Sequence, residues 1–339
     1  MRIIPLLIPK SQFGAAILGI AITALSGVAL SAFSTEFLAT YGYVLFCGLP
    51  FFCGFTSVFI YGYHEERSWS KSFGVALLSL LIVSAVILVF AFEGIICLLM
   101  AAPLAVGIAL PGAALGHFLA SKLRNKRLKD LPLVITFLMM PMLMGFEAKL
   151  KLEPPVRKVV TLVDIKATPQ EVWKYVVAFP PIPEPDEFIF KIGIAYPKDA
   201  QIRGKGVGAV RHCNFTTGPF VEPIRVWDEP RLLQFDVTHN PSPMKEISFY
   251  QNLQPPHLHN FMVSKKGQFK LTQINATTTR LEGTTWYYHR LWPTAYWHII
   301  SDSIIHKIHY RVLNHVKKCA EPADQNRTVN TPFTNDIVR

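Results

Sequence analysis

Asp302, His306 and His309 stand at i, i+4 and i+7, so on a helix they share one stripe. One carboxylate and two imidazoles in that arrangement can hold zinc or iron, or work as an acid–base pair. The same spacing also describes the polar flank of any amphipathic helix. A second set of polar residues stands in strand-like sequence. Glu222 lies between Val221 and Pro223, and His212 alternates with Asn214 on one strand face. His257 opens the triplet His257-Leu258-His259. Glu222, His257 and His306 are the polar groups expected to converge on a ligand, inside a wall to which Trp173, Trp286 and Tyr288 contribute area. No GxSxG, HExxH, phosphate-loop, GxGxxG or CxxC pattern occurs. Gly204-Lys205-Gly206-Val207-Gly208 leads into a strand rather than a helix, which excludes a phosphate cradle. The sequence therefore names candidate side chains and no cofactor.

The elements that must position these residues divide into two kinds of chain. Of 339 residues, 50% are hydrophobic and 17% charged, against about a quarter charged in ordinary soluble domains. The mean hydropathy is +0.29. Residues 1–147 hold 9 Lys/Arg and 6 Asp/Glu, whereas 148–339 hold 25 and 17. Uncharged runs occupy Ser11–Thr35, Phe37–Tyr63, Ser72–Phe92 and Leu131–Phe146, and Gly94–Ser121 carries only His117. A spanning helix needs about 20 apolar residues, so the 1–150 region predicts four or five transmembrane helices. The fifth run, of 16 residues, is the short one.

All nine Lys/Arg of residues 1–147 fall before the first run, in the loop after the second, or in the loop after the fourth. The positive-inside bias puts those segments in the cytoplasm. Five spans then carry the second half to the non-cytoplasmic side, and four would leave it inside. Glu93 and Glu147 sit beside the apolar runs, either as functional carboxylates or as markers of span ends. The net charge of +11 is scattered and suits anionic lipid headgroups; it gives no footprint for nucleic acid. Five cysteines without paired spacing predict no disulfide framework.

In the second half, Val159, Thr161, Val163 and Ile165 alternate as a strand. Thr168-Pro169-Gln170-Glu171 follows with a hydroxyl N-cap, proline at N1 and glutamate at N3, and Val172, Trp173, Val176 and Phe179 supply an apolar helix face. Strands are expected at 188–195, 207–217, 220–227, 231–238, 262–274 and 278–289, a helix at 294–318, and a polar tail at 321–339. The segment His239–Phe261 carries four prolines and is too long for a plain connection, which predicts a lid or a bilayer-docking surface.

The run Ile165-x-Ala167-x-Pro169-x-Glu171-Val172-Trp173, ending at Phe179, resembles the opening of the START-like (SRPBCC, helix-grip) superfamily, the polyketide cyclase/dehydrase and lipid-transport group. The resemblance covers about 157–319. It implies an α+β architecture: a membrane helical bundle followed by a curved antiparallel sheet wrapped around a long C-terminal helix, with an apolar cavity between them. Because the superfamily includes carriers, cyclases, hydrolases and sensors, three functions stand open. These are membrane-anchored binding of a hydrophobic or lipid-like ligand, an enzyme using the His/carboxylate set, and a sensory or structural membrane protein.

Overall fold

A computed structural model describes residues 7–126, 128–250, 253 and 255–322; most of the expected tail, 323–339, lies outside them. Five helices come first: α1 (Gln12–Ala32), α2 (Leu49–Tyr61), α3 (Trp69–Val89), α4 (Ile95–Leu123) and α5 (Leu131–Leu150). A wider π turn extends α1 to Phe37 and another begins the second span at Val44, giving five apolar helices long enough to cross a membrane. The short fifth run thus gains length from the residues after Phe146, reaching 20 in all.

Local chemistry fixes these helices. Ser11 accepts from the Gly14 amide at 3.1 Å and Ser68 from the Lys71 amide at 3.4 Å, each closing a helix start. Glu147 accepts from the Tyr43 and Val44 amides at 2.6 and 3.0 Å, so this carboxylate caps the start of the second span. Helix α2 is buried on every side. Gly54 lies against the Ala109 carbonyl and Gly112 against the Phe51 carbonyl, where a Cβ would clash, so glycine is what lets α2 and α4 approach. Phe13, Leu25, Leu81, Leu99 and Leu138 face outward, as a lipid-facing surface requires.

The rest is an antiparallel seven-stranded sheet in the order β1-β7-β6-β5-β4-β3-β2. Its strands are β1 (Arg157–Ile165), β2 (Pro197–Arg203), β3 (Val210–Phe215), β4 (Gly218–Asp228), β5 (Leu232–Asp236), β6 (Met262–Asn275) and β7 (Thr278–His289). The sheet curls around α8 (Thr294–Ala320), with α6 (Pro169–Val177) and the single turn α7 (Phe188–Lys191) between β1 and β2. Thr168 and Glu171 form the expected capping box. Ile165, Val172, Trp173, Leu233, Leu281, Leu313 and Val316 pack into one core. This is the α+β helix-grip architecture.

Two expectations need correction. The 188–195 stretch is α7 and a turn, not a strand. Its apolar run Phe188-Ile189-Phe190 has no alternation, Phe190 packs against Ile96 of α4, and Gly193 at φ +121° ends the turn. Strand β2 begins only at Pro197, in a stretch that carries too little apolar alternation to announce itself.

Candidate functional site

Two apolar cavities lie along α8. The first, about 160 Å³, lies between the sheet and the C-terminal two-thirds of α8, with Phe215, Phe220, Phe235, Phe269, Ile308 and Val312 in its wall. The second, about 170 Å³, lies between the first four helices and the start of α8, against Leu45, Leu49, Val83, Ile87, Leu98 and Trp297. Met244, Met262 and Ile304 belong to both walls. Helix α8 therefore runs from the apolar helices into the grip. Its first turns rest on the helices through Trp297 against Phe46 (4.9 Å between ring centres) and a hydrogen bond from the Tyr296 hydroxyl to the Met100 carbonyl.

Polar groups in the first cavity are few and paired. Arg211 on β3 is 1% exposed and Glu222 on β4 6%, and the two form an ion pair. Arg211 also donates from Nε to the Val177 carbonyl at 3.1 Å. Its guanidinium sits 5.5–5.6 Å from the rings of Phe179, Phe235 and Phe269. Burial pushes the Glu222 carboxyl up, and the Arg211 charge opposes that shift. Sequence reading singled out Glu222 and missed Arg211, because alternation was assigned to the wrong face of β3. Arg211 and Cys213 face the cavity; His212 lies on the other face, paired in register with Gln201 and Val221.

The Asp302/His306/His309 stripe is divided by its partners: Asp302 is engaged separately from the two histidines, which share one hydroxyl. Asp302 takes hydrogen bonds from Arg157 Nε and the Tyr287 hydroxyl, both at 2.7 Å. His306 and His309 meet the Thr161 hydroxyl at 2.8 and 2.9 Å, and His309 reaches Thr285 at 2.8 Å. Among the described residues these three do not form a metal-holding group. Only His309 borders the first cavity, and burial, then His306, pushes its imidazole down to about 4. It is a neutral hydrogen-bonding group at physiological pH.

The aromatic expectations are likewise redistributed. Trp173 is core, edge-on to Trp227 at 5.6 Å, and does not border the cavity. Trp286 and Tyr288 lie on the outer face of β7, where Lys158 and Lys266 approach Trp286 and Lys265 and Arg290 approach Tyr288. The pleat decides this. Tyr287, their neighbour, points inward and bonds Ser301 and Asp302 of α8.

Of the sequence candidates, His257 and Glu93 reach the second cavity. There Glu93, Cys97 and His257 offer donor atoms within 4.8 Å of one another. The Cys97 thiol lies 2.7 Å from His257 Nε2 and 2.6 Å from Glu246 Oε1, and His257 Nδ1 lies 3.2 Å from Glu93 Oε2. Cys97 lies in the first turn of α4 and Glu93 just before that helix, while Glu246 and His257 come from the 239–261 segment. That segment docks onto the helices: the Ile95 amide donates to the Ile247 carbonyl at 3.0 Å, and the Tyr250 hydroxyl donates to the Val89 carbonyl. Gly94 makes room for the Glu246 carboxylate, which a Cβ would displace. The sequence signal for this group was the i, i+4 spacing of Glu93 and Cys97 where α4 begins. Its partners, more than a hundred residues away, carried none.

No family model matches the sequence, and no curated protein matches it. Structure comparison finds similarity to a norcoclaurine synthase point mutant from Thalictrum flavum in complex with a transition-state analogue, at 10% identity and TM-score 0.34, covering 50% of this chain and 97% of that one. It also finds the protein XoxI from Bacillus cereus (14% identity, 48% and 94% covered, TM-score 0.32). A third similar structure is a Streptomyces aromatase/cyclase (15% identity, 49% and 94% covered, TM-score 0.31). The fold assignment rests on the chain's own topology: seven antiparallel strands closed around α8, with α6 and α7 between β1 and β2, are a helix-grip fold behind five membrane-length helices.

Proposed function

We propose that this protein binds an apolar or amphipathic molecule, lipid-like in character, and passes it between the bilayer and the helix-grip cavity. The observation that carries this reading is the wall of Met244, Met262 and Ile304 common to both cavities. Methionine side chains are unbranched and adaptable, so such a wall can open with little rearrangement. The second cavity lies among helices whose outer faces suit lipid, and the first is apolar around one buried ion pair, which can orient a polar head. In this reading residues 1–150 anchor and 157–319 bind. The grip stands at the helix ends near Tyr41 and Gly94, away from the loops that hold Arg67, Lys71 and Lys122–Lys129, which supports a non-cytoplasmic location.

Titrating the full-length protein in lipid nanodiscs with a fluorescent fatty acid tests the reading. Saturable binding is expected, weakened about tenfold, or about 1.4 kcal/mol, in Ile304→Trp, which fills the common wall. The melting temperature, read on the same samples, shows that the variant is folded. Absence of saturable binding by the wild type, or unchanged affinity in a folded Ile304→Trp, contradicts it.

A further inference from the structure

Among the described residues, Glu93, Cys97 and His257 form the one group that could hold a metal ion, with Glu246 in contact with Cys97. Glu93, Glu246 and His257 are 8%, 9% and 7% exposed. Among the described residues neither carboxylate has a Lys or Arg partner; the one basic group beside Glu93 is His257. Two buried carboxylates and a thiol with one imidazole are short of positive charge, and buried charge requires a counter-charge or coordination. One carboxylate oxygen of each glutamate is already fixed. The Tyr41 hydroxyl donates to Glu93 Oε1 at 2.7 Å, and the Ile96 amide donates to Glu246 Oε2 at 3.2 Å. The other oxygens, Glu93 Oε2 and Glu246 Oε1, turn toward Cys97 and His257. Glu93 Oε2 is buried and accepts no hydrogen bond, an orphaned lone pair facing the group.

We propose that Glu93, Cys97 and His257, whose donor atoms lie within 4.8 Å of one another, hold a zinc ion, with Glu246 reaching it from beside Cys97, and that the ion clasps the 239–261 segment to the start of α4. A thiolate, an imidazole nitrogen and carboxylate oxygens are the donors zinc takes in closed, four-coordinate sites, and a thiolate disfavours calcium or magnesium. Tyr41 and the Ile96 amide act as the outer shell that aims the carboxylates. The ion supplies the missing positive charge, and it ties two segments that are distant in sequence where the second cavity meets the grip. The clasp stands apart from ligand binding in the grip cavity and does not depend on it.

The test uses the full chain in mild detergent, loaded with zinc or cobalt(II) and freed of excess metal. Zinc is expected at one equivalent, and the cobalt form should show tetrahedral visible bands with thiolate-to-cobalt charge transfer in the near ultraviolet. Cys97→Ser should abolish the charge transfer, His257→Ala should remove most of the metal, and Cys319→Ser should change neither. Glu93→Gln, which keeps shape and size, should weaken zinc binding about tenfold or more with circular dichroism unchanged, so a misfolded Cys97→Ser leaves the test intact. Zinc should also protect Cys97 from iodoacetamide. Octahedral cobalt bands, charge transfer that survives in Cys97→Ser, no retained zinc in the folded wild type, or rapid Cys97 alkylation in the presence of zinc would each overturn the proposal.

Discussion

Arg211 and Glu222 show what a single buried pair does in an apolar wall. Each is nearly inaccessible, and removing one partner strands the other in a medium that cannot solvate it. Glu222→Ala is therefore expected to destabilise the grip by about 3–5 kcal/mol. Glu222→Gln, which still accepts from Arg211, should cost less; denaturant melts of the full-length protein check the ranking. A second residue-scale effect concerns acid. Burial, then His298, pushes His289 down to about 4, and burial, then His306, pushes His309 to about 4, from an ordinary 6.5. Between those values the unfolded chain binds protons that the fold refuses, so stability is full above about pH 6.5 and falls as pH drops toward 4. Melting temperatures across that range should decline, and His289→Gln with His309→Gln should flatten the decline. A flat profile in the wild type would show that these imidazoles do not resist protonation. At this scale the sequence was partly legible. It exposed Glu222, His257 and His309 as unusual, but whether Trp286 points in or out depends on a one-residue choice of strand face that composition does not make.

Helices and strands were more legible than side chains, because hydrophobic periodicity and caps are local. The five apolar runs, the Thr168–Glu171 cap and the C-terminal helix all read directly from the sequence. What could not be read was contact between distant elements. The 239–261 segment, whose length and prolines marked it as a lid or docking surface, supplies Glu246, Ile247 and Tyr250 to the helices and Pro241 and Met244 to the first cavity. The approach of α2 and α4 was equally silent until Gly54 and Gly112 were seen against opposing carbonyls. Gly112→Leu should force those helices apart, lowering the yield of folded protein and its melting temperature in detergent, whereas Gly107→Leu, with open space around it, should be tolerated. Equal loss in both variants would mean that general helix propensity, and not this contact, decides.

At the scale of the whole molecule, the proposed function places a cavity next to a membrane. The charge bias predicts its orientation. Lys126 lies in the positive loop and Lys205 in the exposed β2–β3 turn. An impermeant maleimide applied to intact cells should label Lys205→Cys and spare Lys126→Cys until the membrane is opened. The reverse pattern would place the grip in the cytoplasm and leave the cavity argument standing. The central claim, transfer of an apolar molecule through a common wall, is tested most directly by photocrosslinking. Full-length protein in vesicles containing a phospholipid with a photoactivatable acyl chain should, after illumination, carry adducts at Met244, Met262 or Ile304 and deeper at Phe220 or Ile308. Adducts confined to outward residues such as Leu81 and Leu138, with none on the grip cavity, would show that lipid surrounds the helices without entering, and would contradict the account.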